Sequence, residues 1–125
     1  MKSKTKKRVA CYARSAVRNK QNIRNQLAVI QDFVDENREY EFHDFYIDDG
    51  ISGITSLFKR PTGSRLLKDA IKGKFDVILV TRFDRIGRDI KNVIESLNKL
   101  SELDIGFKSV LEQSVNNYRR VYYNV

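Results

Sequence analysis

The chain has 125 residues, 41% of them hydrophobic and 32% charged, which fits one globular domain with a single core and excludes both a two-domain protein and a disordered tail-like polypeptide. A net charge of +8 and a pI near 9.7 point to an anionic partner, with nucleic acid as the first candidate and an acidic membrane surface or plain solubility as the alternatives. A single cysteine, Cys11, excludes a disulfide framework or a thiolate metal cluster, and no apolar run approaches the ~18 residues needed to span a bilayer, so the expectation is a soluble, cytoplasmic protein without a membrane partner.

In chain order, residues 1–7 read as a basic flexible arm that touches phosphates or is merely solvated, with no signal-peptide core behind it. "RVACYA" (8–13) is short, apolar and β-compatible. The polar "RSAVRNKQN" then gives way to Ile23, Leu27, Ile30, Phe33 and Val34, which lie on one face of a helix. "YEFHDFYI" (40–47) predicts a second strand, ending in the long loop "DDGISGITSLFKRP" (48–61). Pro61 suits the first turn of a helix carrying Leu66, Leu67, Ala70 and Ile71, and Gly73 suits its end. "FDVILVT" (75–81) is the continuous apolar run of a strand covered on both faces. "RFDRIGRD" leads into an amphipathic helix bearing Ile90, Val93, Ile94, Leu97, Leu100 and Leu103, and Gly106 with "FKSVLE" supplies a fourth strand. This alternation predicts an α/β domain over 8–113, with a largely parallel central sheet of four to five strands and helices on both faces. Residues 114–125 read as a tail, the truncated start of a helix, in which Tyr118, Arg119, Arg120, Tyr122 and Tyr123 stack on nucleic acid or simply fray.

Ligands of open α/β sheets bind beyond the carboxyl ends of the strands. Three such ends carry polar residues: Tyr12, Arg14 and Ser15 after the first, Asp48, Asp49 and the loop to Arg60 after the second, and Asp84, Arg85 and Arg88 after the third. Four arginines around one spot repel one another unless an anion sits among them. Phosphoryl transfer gains most of its catalysis from positioning and charge stabilisation, so arginines, a hydroxyl nucleophile and an acid suffice without a metal. Residue by residue the plain alternative stands: Asp84 and Arg85 as a structural ion pair, Tyr12 with its hydroxyl at the rim, His43 without a second histidine to share a metal.

Taken together, "YAR", "DDGISG…KRP" and "DRIGRD" resemble the catalytic domain of the serine recombinases, the resolvase and invertase family, across about Arg8 to Gln113. The resemblance implies a resolvase-like fold that cuts and rejoins double-stranded DNA through a 5′-phosphoseryl link, with no metal and no cofactor. It implies a homodimer assembling to a tetramer in the full-length protein, encoded by a bacterium, phage or transposon and working at the nucleoid. By the same resemblance Tyr12, Arg14, Asp48, Ser52, Arg60, Asp84, Arg85 and Arg88 occupy active-site positions, with Gln26 close by.

The family pattern places its serine two residues after the arginine, and that position here is Ala16. In a continuing strand, residues 12, 14 and 16 share a face while Ser15 points the other way. Two explanations stand: the strand ends at Arg14 and a shorter loop delivers Ser15 to the phosphate, or Ala16 replaces a serine through engineering or natural loss. In the second case the arginine cage binds phosphate without covalent chemistry. Other classes compete with the recombinase. One is a non-catalytic DNA-binding or assembly module. Another is a Mg²⁺-dependent nuclease built on Asp48, Asp49 and Asp84. A phosphoacceptor receiver domain is disfavoured because its acidic pocket would have to coexist with four arginines.

Overall fold

The structure, a computed structural model, describes residues 5–112; the expected tail and the first residues of the basic arm lie outside them. Four parallel strands, β1 (Lys7–Ser15), β2 (Tyr40–Asp49), β3 (Val77–Val80) and β4 (Gly106–Ser109), form one sheet in the order β2-β1-β3-β4. Between them run α1 (Lys20–Glu36), α2 (Pro61–Ile71) and α3 (Ile90–Glu102). The strand pattern sorts the core into two layers. Ala10 and Tyr12 of β1 pack with Leu66, Ala70, Val93, Leu97 and Leu100 of α2 and α3. Val9 and Cys11, pointing the other way, pack with Ile30 and Val34 of α1. The sheet is thus covered on both faces, which is why β1 and β3 read as nearly unbroken apolar runs.

The helix boundaries have local causes. Asn19 caps α1 by accepting the Asn22 N–H at 3.0 Å, and Asp89 caps α3 by accepting the Lys91 N–H at 3.0 Å. Gly73, with φ at 73°, closes α2 in the left-handed region that favours glycine. Ile71 and Ile90, expected on apolar faces, are 60% exposed because they are the last residue of α2 and the first of α3.

Two differences from the expected elements matter for the site. Asp48 and Asp49 belong to β2 rather than to the loop after it, paired with Arg14 and Ser15. β1 likewise continues through Ser15, so it does not end at Arg14. The register slips between Val9 and Ala10, which face Phe42 and Asp44, leaving His43 at the irregularity with its ring 6.0 Å from Phe75. On the outer edge of the sheet, Thr62 Oγ1 donates to the Ile47 carbonyl at 2.6 Å and Arg65 Nη2 to that of Phe45 at 3.3 Å, so α2 side chains occupy edge groups that would otherwise invite another strand.

Candidate active site at the strand carboxyl ends

The chain runs from β1 outward to β2 and then returns to the other side as β3, so the carboxyl ends of β1 and β3 flank the switch point of the sheet. There Arg85 Nη1 donates to the Arg14 carbonyl at 3.2 Å, while Arg14 Nε donates to the Arg85 carbonyl at 3.2 Å. Arg14 also donates to the carbonyls of Ile51 at 2.9 Å and Asp84 at 3.0 Å. It is buried, and burial, followed by the neighbouring charge of Arg60, lowers its pKa from the usual arginine value.

Arg60 is wholly buried. Its guanidinium donates to the carbonyls of Thr55 at 2.9 Å, Arg85 at 2.7 Å and Ile86 at 2.6 Å, and to the Tyr12 hydroxyl at 3.0 Å. Tyr12 in turn donates to Asp48 Oδ2 at 2.8 Å. The Asp48 carboxylate accepts the N–H groups of Thr62 at 2.8 Å and Gly63 at 3.0 Å, the first free amides of α2 after Pro61. A buried carboxylate at the positive end of a helix thus offsets the buried arginine through a tyrosine bridge. Tyr12 does not sit at the rim: it is fully buried, and burial pushes its phenol well above the ordinary value.

The loop from Gly50 to Arg60 is drawn tightly over this frame. A Cβ on Gly63 would meet the Leu57 carbonyl oxygen at 1.8 Å, so the turn Leu57–Lys59 and the start of α2 close only over glycine. A Cβ on Gly53 would come within 3.0 Å of Arg14 Nη2, and the Gly53 carbonyl accepts the Arg88 N–H at 3.2 Å, joining the second and third strand-end loops. Ser52 is exposed, its Oγ accepting the Ile54 N–H at 3.1 Å in a local turn.

The face toward solvent is carried by other residues. Arg88 is exposed, and its guanidinium has no hydrogen-bond partner among the described residues. The Arg85 side chain is 21% exposed, with its buried Nε unpaired by hydrogen bonds and 3.6 Å from Oδ1 of the half-exposed Asp84. Ser15 is 8% exposed, and its Oγ donates to the Val17 carbonyl at 2.6 Å. Ala16, the first residue beyond β1, is exposed. Gln26 brackets the Arg14 backbone, donating to its carbonyl at 2.9 Å and accepting its N–H at 3.3 Å. The three aspartates considered as metal ligands have separate surroundings: Asp48 is committed to Tyr12 and α2, Asp49 accepts the Asn19 N–H at 2.8 Å, and Asp84 lies against Arg85. No cluster of three metal-ligating side chains occurs among the described residues.

The family described as "Resolvase, N terminal domain" matches residues 9–122. The chain belongs to this family. Solved structures agree in fold. The N-terminal catalytic domain of TP901-1 integrase superposes with a TM-score of 0.79 at 23% identity, covering 94% of this chain and 93% of that one. A resolvase family site-specific recombinase from Streptococcus pneumoniae gives 0.72 at 20% identity, covering 95% and 87%. The C-terminal catalytic domain of ISC1926 TnpA, an IS607-like serine recombinase, gives 0.72 at 20% identity, covering 91% and 77%. No curated protein matches the sequence.

Of the residues singled out from the sequence, this resolvase-family domain brings Tyr12, Arg14, Gln26, Asp48, Arg60, Asp84 and Arg85 into one connected network, with Arg88 joined through its backbone and Ser52 at the periphery. Sequence reasoning missed Gly53, Gly63 and Glu112. The two glycines carried a signal, since each sits in or beside a turn-rich stretch. Glu112 carried none, lying at the end of an apparent strand.

Proposed function

We propose that the chain is the catalytic domain of a site-specific DNA recombinase that grips a DNA phosphodiester with Arg85 and Arg88, while Arg14 and Arg60 hold the frame behind them. The observation that carries this reading is the mutual grip of Arg14 and Arg85 at the switch point of a resolvase-family fold. Double-stranded DNA is the partner expected of a recombinase, and the charge of +8 agrees with it.

In the proposed reaction a serine Oγ attacks phosphorus as its proton passes to water; the Oγ–P bond forms, the P–O3′ bond breaks, and the 3′-oxygen leaves with a proton relayed from water through Asp84. The guanidinium groups of Arg85 and Arg88 stabilise the charge that builds on the phosphoryl oxygens. The phosphoseryl bond keeps the energy needed for rejoining, and a homodimer pairing into a tetramer exchanges the strands on bacterial or phage DNA. We assign the nucleophile position to residue 16. Ser15 is the last residue of β1, nearly buried and bonded to Val17, whereas Ala16 is exposed at the strand end. A chain with Ala16 then holds DNA without cutting it.

The test is a covalent trapping assay in chelator, with the wild-type chain, Ala16→Ser and Ser15→Ala incubated with a duplex library. The expected result is an SDS-resistant protein–DNA adduct from Ala16→Ser alone. A wild-type adduct abolished by Ser15→Ala would move the nucleophile to Ser15. Absence of any adduct together with absence of salt-sensitive duplex binding would sink the reading.

A further inference from the structure

Beyond β4 the chain keeps pairing with β3: the Val110 N–H donates to Val80 at 2.9 Å and the Leu111 N–H to Thr81 at 3.1 Å. This extension delivers Glu112 to the loop that follows β3. Glu112 Oε1 accepts the Phe83 N–H at 2.6 Å, and Ser109 Oγ lies 3.0 Å from the same oxygen. Phe83 opens the tight turn Phe83–Arg85. An N–H at the start of such a turn lacks an acceptor within the turn, and a carboxylate is the strongest acceptor available to it.

That turn is the acceptor platform for both buried arginines. Its Asp84 carbonyl takes Arg14 Nη2, its Arg85 carbonyl takes Arg14 Nε and Arg60 Nη1, and the Ile86 carbonyl that follows takes Arg60 Nη2. It also carries the Arg85 guanidinium to the Arg14 carbonyl. A shift at Phe83 therefore reaches five arginine hydrogen bonds at once, and the group holding Phe83 comes from a different strand end.

We propose that Glu112 is a positioning residue for the arginine site: by accepting the Phe83 N–H it fixes the turn whose carbonyls orient Arg14 and Arg60 and whose side chain Arg85 meets the phosphate. The phosphate part of this statement rests on the recombinase reading, whereas the positioning part does not.

The experiment combines ¹H–¹⁵N spectra of the full chain with duplex binding, for the wild type, Glu112→Ala and Glu112→Gln. The arginine Nε–H signals give separate reporters, since Arg14 Nε faces the Arg85 carbonyl while Arg8 Nε faces Asp76 at 3.0 Å, at the opposite end of the sheet. In Glu112→Ala the Phe83 amide proton is expected to move upfield and the Arg14 Nε–H signal to shift, with Arg8 unmoved and duplex affinity reduced severalfold. Glu112→Gln, which keeps an acceptor oxygen, is expected to restore the Arg14 signal and most of the affinity, and it serves alone if the alanine variant fails to fold. A Phe83 shift with Arg14 unchanged would overturn the proposal, as would a glutamine variant no better than alanine. If the Arg14 signal responds but the wild type binds no duplex, positioning stands and the DNA reading falls.

Discussion

Arg14 and Arg85 hold each other's main chain, each guanidinium donating to the other's carbonyl at 3.2 Å across the gap between β1 and β3. Two positive side chains are therefore joined through carbonyl oxygens that carry no net charge, with Arg14 buried and Arg85 partly exposed.

Arg88→Ala is expected to lower duplex affinity about tenfold and to reduce the salt slope by about one, as for loss of a phosphate contact. Because Arg88 is exposed, its thermal midpoint should stay near that of the wild type. Arg85→Ala should show the same slope change with a lower midpoint, since it also releases the Arg14 carbonyl. A salt titration with unchanged slope for both variants would count against the phosphate site.

Arg60→Ala should behave differently, because Arg60 is wholly buried and serves three carbonyls and the Tyr12 hydroxyl. Breaking a buried charged network costs about 3 kcal/mol or more. Urea denaturation is the measurement, and a loss under about 1 kcal/mol would show that the strut is dispensable.

The glycines separate space from conformation. Gly63→Ala drives a Cβ to 1.8 Å from the Leu57 oxygen and should cost about 3 kcal/mol or prevent folding, as for severe overpacking. Gly73→Ala meets nothing within 4 Å and bears only the strain of φ at 73°, about 1 kcal/mol. Paired denaturation curves check the ranking, and equal losses would refute it.

Acid should weaken the N-terminal end of the sheet. The Arg8 guanidinium bonded to Asp76 holds that carboxyl below its ordinary value of 3.8. A depressed folded-state pKa stabilises the protein above the unfolded value, and that contribution disappears as pH falls through the folded one. Asp76→Asn should therefore flatten the fall in stability below about pH 4, its effect being modest because the pair is partly exposed. Melting curves at stepped pH would expose a contrary slope.

Cys11 provides a probe of opening, since burial pushes its thiol up to about 12. A thiol reagent at pH 8 should label it only as fast as the fold opens, and the rate should rise in Gly63→Ala. Immediate stoichiometric labelling of the native chain would contradict its buried position on β1 against α1.

The architecture was readable because its determinants are local. The continuous run at Val77–Val80, Pro61 and Gly73 each act within a few residues. The gathering of three strand ends followed from topology. What could not be read was the division of labour among arginines. Arg14, Arg60, Arg85 and Arg88 are chemically alike in the sequence, yet two lie buried against carbonyls and one faces solvent, because the loop from Gly50 to Arg60 closes over the sheet. The same closure buries Tyr12 completely, which removes the alternative of a hydroxyl at the rim. Whether β1 ends at Arg14 or continues through Ser15 depended on pairing with Asp49 of another strand. Glu112 acts across 29 positions of sequence, a distance over which periodicity is silent.

Arg14 and Arg60 address backbone oxygens at Ile51, Thr55 and Asp84 rather than the side chains of those residues. Every amino acid offers the same oxygen. The surface around the site is thus free to drift in sequence while the arginine frame keeps its shape, so loops of quite different character can be carried on one unaltered scaffold. A library randomised at 51 and 55 should yield mostly folded chains whose diversity lies in what they present around the arginine frame, whereas position 84 is held by the role proposed for its carboxyl group.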